Sequence, residues 1–119
     1  MKWIALKSPD QLEALRAESK NQPVIIFKHS TRCSISLTAL NRLERNWKEE
    51  EMTSTKPYYL DLLSYREISR SIADLFGVEH QSPQVIVLKN GEAVFHKSHF
   101  EIDFASIKNA ALSTSPVKN

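Results

Sequence analysis

Continuous hydrophobic runs along the chain predict its strands. Residues 23–28 form the clearest run, built of β-branched and aromatic side chains, which is typical of a central strand covered on both faces. Residues 57–62 predict a second strand, and the short run at residues 3–6 predicts an edge strand. Two further strands, at residues 85–89 and 92–96, are separated only by an Asn-Gly pair, which favours a type I′ hairpin turn.

Hydrophobic residues at helical spacing predict four helices between and after these strands. The predicted helices span residues 8–20, 33–50, 64–76 and 103–111. Capping residues support three of the four starts, namely Ser8 with Gln11, Ser64 with Glu67, and Asp103. The predicted order of elements is therefore β-α-β-α-β-α-β-β-α.

This order defines a fold class. A parallel βαβ half followed by an antiparallel ββα half, with helices on both faces of a mixed sheet, is the thioredoxin-like architecture of the α/β class. The length of 119 residues suits one such domain, over residues 1–119, without a second core. Residues 113–119 are predicted to form a flexible tail.

Composition and charge exclude several partners. The net charge of +2, from 16 Lys and Arg against 14 Asp and Glu, is too small to indicate a nucleic-acid or membrane-surface partner. No segment reaches the roughly 18 apolar residues of a membrane span, and the first apolar run is too short for a signal peptide. We therefore expect a cytoplasmic protein without nucleic-acid or membrane partners.

The chain has a single cysteine, Cys33. One cysteine excludes an internal disulfide and a cysteine-based metal site within one chain, and no metal site is predicted. Cys33 stands where the central strand passes into the second helix, and the free amides of a helix start favour a thiolate. Because the thiolate attacks in disulfide exchange, Cys33 is the predicted catalytic nucleophile. Its predicted thiolate environment consists of Lys28, His29, Thr31, Arg32 and Ser34.

The residue three positions after the cysteine is Ser36, where a dithiol oxidoreductase would have its second cysteine. A hydroxyl can donate a hydrogen bond to a thiolate, but it cannot expel a bound partner. The reaction would then stop at a mixed disulfide until an external thiol arrives. We therefore predict a monothiol mechanism, with Cys33 and Ser36 as the catalytic residues.

A second signal is the Ser82-Pro83 pair directly before a strand. In thioredoxin-like folds a cis-proline occupies this place and faces the reactive cysteine, while the main chain of the preceding residue pairs with the bound thiol substrate. We expect a cis Ser82-Pro83 bond and a substrate-binding segment that also includes His80 and Gln84.

Three strings together resemble a known family. Residues 27–36 (FKHSTRCSIS), residues 80–84 (HQSPQ) and residues 90–92 (NGE) resemble the YtxJ-type bacilliredoxins, and the resemblance covers nearly the whole chain. These are monothiol thioredoxin-fold proteins linked to the small thiol bacillithiol. Ser34 departs from the family pattern, which usually has proline directly after the cysteine, and it leaves one more backbone donor near the sulfur.

The resemblance implies a reaction and its partners. Cys33 would attack the bacillithiol sulfur of a protein–bacillithiol mixed disulfide and so free the thiol of the client protein. A second bacillithiol would reduce Cys33, and the bacillithiol disulfide would go to a flavin-dependent reductase, an indirect partner. Bacillithiol is thus an expected co-substrate, no cofactor is expected to be tightly bound, and Lys28 and Arg32 would meet the malyl carboxylates of bacillithiol.

Two other functions stay open from the residues. Monothiol glutaredoxins share the Cys-x-x-Ser arrangement and carry an iron–sulfur cluster with glutathione, but this chain lacks their Gly-Gly pair and has only Gly77 and Gly91. The second open function is that of a redox-inactive adaptor, in which Cys33 is vestigial. A peroxiredoxin is disfavoured because Thr31 is two residues before Cys33, which is too close for the Thr-x-x-Cys spacing.

Overall fold

A computed structural model describes residues 3–113 and contains a mixed five-stranded sheet. The strands are β1 (Ile4–Ala5), β2 (Val24–His29), β3 (Lys56–Asp61), β4 (Gln84–Lys89) and β5 (Glu92–Ser98). The helices are α1 (Asp10–Glu18), α2 (Ser34–Asn46), α3 (Arg66–Phe76) and α4 (Phe104–Leu112). Short 3-10 turns follow α2 and β5 at Glu49–Glu51 and His99–Glu101. The order of strands and helices is the predicted one.

The sheet has the strand order β1-β3-β2-β4-β5, with β2 at its centre. β2 runs parallel to β3 and antiparallel to β4, and all six of its residues are buried, as expected of a strand covered on both faces. β1 pairs with the outer side of β3 and is an edge strand, as predicted. Asn90 and Gly91 have φ angles of 55° and 78°, which confirms the predicted type I′ hairpin turn.

Successive residues of β2 pack on opposite faces of the sheet. Phe27 belongs to the core under α2 and α4, whereas Ile26 belongs to the core under α1 and α3. The alternation continues to the end of the strand, so that Lys28 lies on the α1/α3 face and His29 on the α2/α4 face. These two neighbours in sequence therefore take part in different surroundings.

The second helix is shorter than predicted. α2 ends at Asn46, short of the expected end near residue 50, and Trp47 takes an extended conformation. The ring of Trp47 lies 6.0 Å from that of Trp3 and 5.3 Å from that of Phe104, measured between centroids. Burial of this large ring among aromatic side chains turns the chain away from the helix axis, which local spacing does not reveal.

The predicted cap of α4 is present, and the cap predicted for α1 is present only in part. Asp103 accepts a hydrogen bond from the Ser106 amide at 2.8 Å and caps α4. At the start of α1, Gln11 Oε1 accepts from the Ser8 amide at 3.0 Å, which is the return bond of a capping box, but the N-cap residue is Pro9 and not Ser8.

The capping box predicted at Ser64 and Glu67 is wrong. The N-cap of α3 is Tyr65, and the Ser64 hydroxyl donates to Asp61 Oδ2 at 3.0 Å instead. Ser64 therefore closes the turn that leaves β3 and does not cap α3.

Two expectations concern the ends of the chain and membranes. In the part of the chain that the structure describes, no helix is long and apolar enough to cross a bilayer. A flexible tail is predicted at residues 113–119, and all of it except residue 113 lies outside the described residues.

Candidate functional site

Cys33 lies at the junction of β2 and α2, where the sequence predicts it. It is the N-cap residue of α2 and is partly exposed, and its backbone is extended. Its amide donates to the Ser30 carbonyl at 3.1 Å, and its carbonyl accepts from the Leu37 amide at 3.0 Å. The first helical amides, which have no partner within the helix, therefore follow directly after the thiol-bearing residue. The effect of this helix start on the thiol stays a prediction.

Three predicted neighbours lie on the surface around the thiol. Thr31 and Arg32 are exposed in the turn before Cys33, and Ser34 is the exposed first residue of α2. Ser34 keeps the backbone N–H that a proline would remove, so the helix start has its full set of donors. The roles of these three residues stay predictions.

Ser36 is fully buried below the start of α2. Its hydroxyl oxygen lies 2.6 Å from His29 Nδ1 and accepts a hydrogen bond from the Ser30 amide at 3.0 Å. These bonds connect the end of β2, the turn at residues 30–32 and the first turn of α2. Ser36 thus holds the segment that carries Cys33, and its direct action on the sulfur stays a prediction.

His29 is the last residue of β2, one residue past the hydrophobic run at residues 23–28 that predicts this strand. It is only 3% exposed, and its ring centroid lies 5.7 Å from that of Tyr59 and 6.2 Å from that of Phe27. Burial lowers the pKa of His29 below its ordinary value of 6.5, against the opposing effect of the Asp61 and Glu44 carboxylates. A lowered pKa favours the neutral imidazole near pH 7, and the part of His29 in the thiolate environment stays a prediction.

Lys28 is on the other face of the sheet from α2. It is fully buried, and its Nζ lies 3.1 Å from His80 Nδ1. Burial lowers the pKa of Lys28 from its ordinary value of 10.5 to about 8. Strand alternation turns the Lys28 side chain into the core under α1 and α3, and its part in the thiolate environment stays a prediction.

The Ser82-Pro83 bond is cis, as predicted. It directly precedes β4, which is antiparallel to β2, so Pro83 lies at the same end of the sheet as the Cys33 junction. The Pro83 carbonyl accepts from the His99 amide at 3.1 Å. Within residues 3–113, the Ser82 hydroxyl oxygen is buried and has no hydrogen-bond partner.

The other two residues of the predicted substrate-binding segment differ in exposure. Gln84 is 1% exposed, its side-chain amide donates to the Glu79 carbonyl at 3.0 Å, and its Oε1 accepts from the Gln81 amide at 3.4 Å. Gln84 therefore braces the loop before β4 from inside. His80 is exposed, but its Nδ1 is turned to Lys28 and, at 3.3 Å, to the Ser69 hydroxyl.

Sequence reasoning missed a second turn at this end of the sheet. His99 has a φ of 55° and donates its amide to Pro83, and the following Phe100 is 75% exposed. Ile35 and Leu37, on the first turns of α2, are also exposed hydrophobic residues. A lone aromatic residue between His99 and Glu101 is a weak sequence signal, and only the contact with Pro83 shows where it lies.

Metal ligands do not converge in this part of the molecule. Among residues 3–113, no group of three or more His, Cys, Asp and Glu side chains is placed to hold a metal ion.

A lone thiol at a helix start, at the same sheet end as a cis-proline, defines the class of thioredoxin-fold thiol oxidoreductases. One similar solved structure, described as a candidate oxidoreductase with a thioredoxin fold, has 34% identity and a TM-score of 0.77, covering 90% of this chain and 91% of that chain. The thioredoxin of Malassezia sympodialis has 15% identity and a TM-score of 0.72, covering 92% of this chain and 88% of that one. The thioredoxin of Fasciola hepatica has 15% identity and a TM-score of 0.69, covering 93% and 98%. The two thioredoxins share the fold.

The family is narrower than this class. The family model described as monothiol bacilliredoxin BrxC matches residues 4–107. The chain therefore belongs to the monothiol bacilliredoxin family, and the resemblance carried by residues 27–36 and 80–84 is confirmed.

Proposed function

We propose that this chain is a monothiol disulfide reductase that removes bacillithiol from protein mixed disulfides. The observation that carries the proposal is the placement of the single cysteine, Cys33, as the N-cap of α2 in a chain of the bacilliredoxin family. A helix start stabilises the attacking thiolate, and the absence of a second cysteine from the sequence leaves the resolving step to an external thiol.

The proposed reaction has two exchanges. In the first, the Cys33 thiolate attacks the bacillithiol sulfur of the mixed disulfide, a Cys33–bacillithiol disulfide forms, and the client protein leaves as a thiolate that takes up a proton. In the second, the thiolate of another bacillithiol attacks the bacillithiol sulfur on Cys33, which releases bacillithiol disulfide and restores the Cys33 thiolate. Bacillithiol disulfide is then reduced elsewhere, by a flavin-dependent reductase.

The segment at Ser82 and Pro83 is the proposed docking strand for the client. An edge main chain next to a cis-proline accepts an extended peptide through backbone hydrogen bonds, as an added strand does. The buried Ser82 hydroxyl oxygen, which has no hydrogen-bond partner among residues 3–113, adds a polar group at the same point. A cytoplasmic location belongs to this proposal, because the exchange needs a compartment that keeps small thiols reduced.

Intact-mass measurement tests the proposal directly. The reduced chain is incubated with bacillithiol disulfide and, in parallel, with glutathione disulfide at the same concentration. We expect one bacillithiol adduct per chain, less adduct with glutathione, and complete loss of both adducts in Cys33→Ala. Reduction of a bacillithiolated client protein is then followed with bacillithiol as the only reductant.

Three outcomes would contradict the proposal. Equal labelling by both disulfides would remove the preference for bacillithiol, and slow labelling at neutral pH would favour a redox-inactive adaptor. Visible absorbance typical of a cluster after anaerobic reconstitution with iron and sulfide would favour an iron–sulfur carrier.

A further inference from the structure

A cleft lies along α3, on the sheet face opposite to α2. It has a volume of about 390 Å³ and is bounded by the chain that leaves β3, by one side of α3 and by His80. Leu62, Leu63 and Ala73 form its apolar wall. The walls of this cleft therefore come from the face of the sheet opposite to the helix that begins after Cys33.

The polar lining of the cleft is mostly cationic. Arg66 and Arg70 are one helical turn apart on the same side of α3, and both line the cleft together with His80. Asp74 is the acidic residue of the lining. α3 also begins at Arg66, so the positive end of its dipole is at this end of the cleft.

A second cation is buried behind this lining. Lys28 is fully buried, and its Nζ contacts His80 Nδ1 at 3.1 Å. The salt bridges within residues 3–113 join Glu18 to Lys56 and Glu51 to Lys108, so no carboxylate pairs with Lys28. A buried ammonium without a counter-ion is costly for the fold, and an anion nearby offsets that cost.

The contact between Lys28 and His80 determines where the imidazole proton lies. An ammonium can only donate hydrogen bonds, so His80 Nδ1 must be the acceptor. The neutral imidazole then carries its proton on Nε2 and is a donor there. His80 lines the cleft, so the positive charge of Lys28 makes the His80 Nε2–H group a stronger hydrogen-bond donor to a ligand there.

We propose that this cleft binds a small organic carboxylate, with Arg66, Arg70 and His80 donating hydrogen bonds to the carboxylate and Lys28 supplying a buried positive charge behind them. Guanidinium groups pair with carboxylates through two parallel hydrogen bonds, and the apolar wall suits a short carbon chain better than a fully hydrated inorganic anion. This site goes beyond the proposed exchange reaction, because its lining lies along α3, on the sheet face opposite to the helix that begins after Cys33.

Amide NMR spectroscopy of the reduced full chain, titrated with succinate, tests this site. We expect saturable shifts at Ser69, Arg70 and His80. Loss of one charged hydrogen bond should weaken binding by about tenfold or more in Arg70→Gln, which changes an exposed side chain and leaves the core intact. Lys28→Met, which keeps the length of the side chain, should weaken succinate by a similar factor.

Matched controls separate the site from general electrostatics. Lys97→Met removes one exposed charge on β5 and should leave succinate affinity unchanged. Cys33→Ala should also leave it unchanged, so a failed exchange reaction and a failed carboxylate site would be told apart. Shifts that do not saturate, or that persist in Arg70→Gln and Lys28→Met, would overturn the site. Equal affinity for inorganic phosphate would overturn its assignment to organic acids.

Discussion

Lys28 and His29 are adjacent basic residues at the end of β2, but they lie on opposite faces of the sheet and in opposite surroundings. On the α2 face, His29 is neutral, surrounded by aromatic rings and hydrogen-bonded to Ser36. On the α3 face, Lys28 keeps a charge near neutral pH, its Nζ is hydrogen-bonded to another base, His80, and among residues 3–113 no carboxylate pairs with it. The first arrangement organises the segment of the thiol, whereas the second leaves a positive charge available to a ligand.

This difference shows how one strand serves two purposes. A satisfied buried polar pair rigidifies the chain around it, because both groups have partners and neither is charged. An uncompensated buried charge destabilises the fold, and it is retained where the charge has a use. The position of a residue along the strand, and not its type alone, determines whether its side chain joins the neutral pair or remains a charge without a carboxylate.

The largest expected difference between the faces is chemical. Cys33→Ser should abolish adduct formation with bacillithiol disulfide, because a hydroxyl is not a thiolate nucleophile at neutral pH. Lys28→Met should retain adduct formation. Intact-mass spectra of the two variants after the same exposure measure this difference, and loss of the adduct in Lys28→Met would mean that the faces are not chemically separate.

The next effect concerns stability on the α3 face. The lowering of the Lys28 pKa from 10.5 to about 8 corresponds to about 3 kcal/mol of destabilisation while the group is charged. Lys28→Met should therefore raise the free energy of unfolding at pH 7 by up to about 3 kcal/mol.

The same linkage sets a pH dependence. Between pH 8 and 10.5 the unfolded chain binds more protons at Lys28 than the folded chain, so the stability contributed by this residue rises with pH through that window. The advantage of Lys28→Met should accordingly shrink as pH increases from 8 to 10. Urea unfolding at several pH values measures it, and an advantage independent of pH would show that Lys28 is not titrating in the folded state.

A pair of serine variants compares the hydrogen bonds of the two faces. Ser36→Ala should cost about 1–3 kcal/mol of unfolding free energy, because it leaves His29 and the Ser30 amide without their buried partner. Ser69→Ala should cost less, because His80 Nδ1 keeps its contact with Lys28. Urea denaturation of both variants gives the difference, and a smaller cost for Ser36→Ala would contradict the assigned network.

The smallest expected effect lies in the acid range. The pKa of His29 is lowered in the folded chain, so the unfolded chain binds more protons as pH falls below 6.5, and stability is lost in that direction. His80 acts in the same direction through burial and the charge of Lys28, but it is more exposed. NMR titration of the imidazole resonances should therefore place both pKa values below 6.5, and His29→Gln should reduce the acid sensitivity of unfolding.

Much of the fold and part of the site follow from local sequence. The Asn90-Gly91 turn, the Asp103 cap and the helix start at Cys33 depend on residues close together in the chain, and all three are present. The early end of α2 was not predictable in this way, because Trp47 leaves the helix to pack against a ring at Trp3, far away in sequence.

By itself, the sequence determined the order of elements, the lone thiol at a helix start and the cis-proline position, because hydrophobic period and turn residues act over a few neighbours. Tertiary structure alone decided that Lys28 meets His80, 52 residues away, and that His29 meets Ser36. Alternation along a strand shows that two neighbours face opposite sides. Only the packed chain shows which helices cover each side of the sheet. Those helices then determine the partners and the solvent exposure of each side chain.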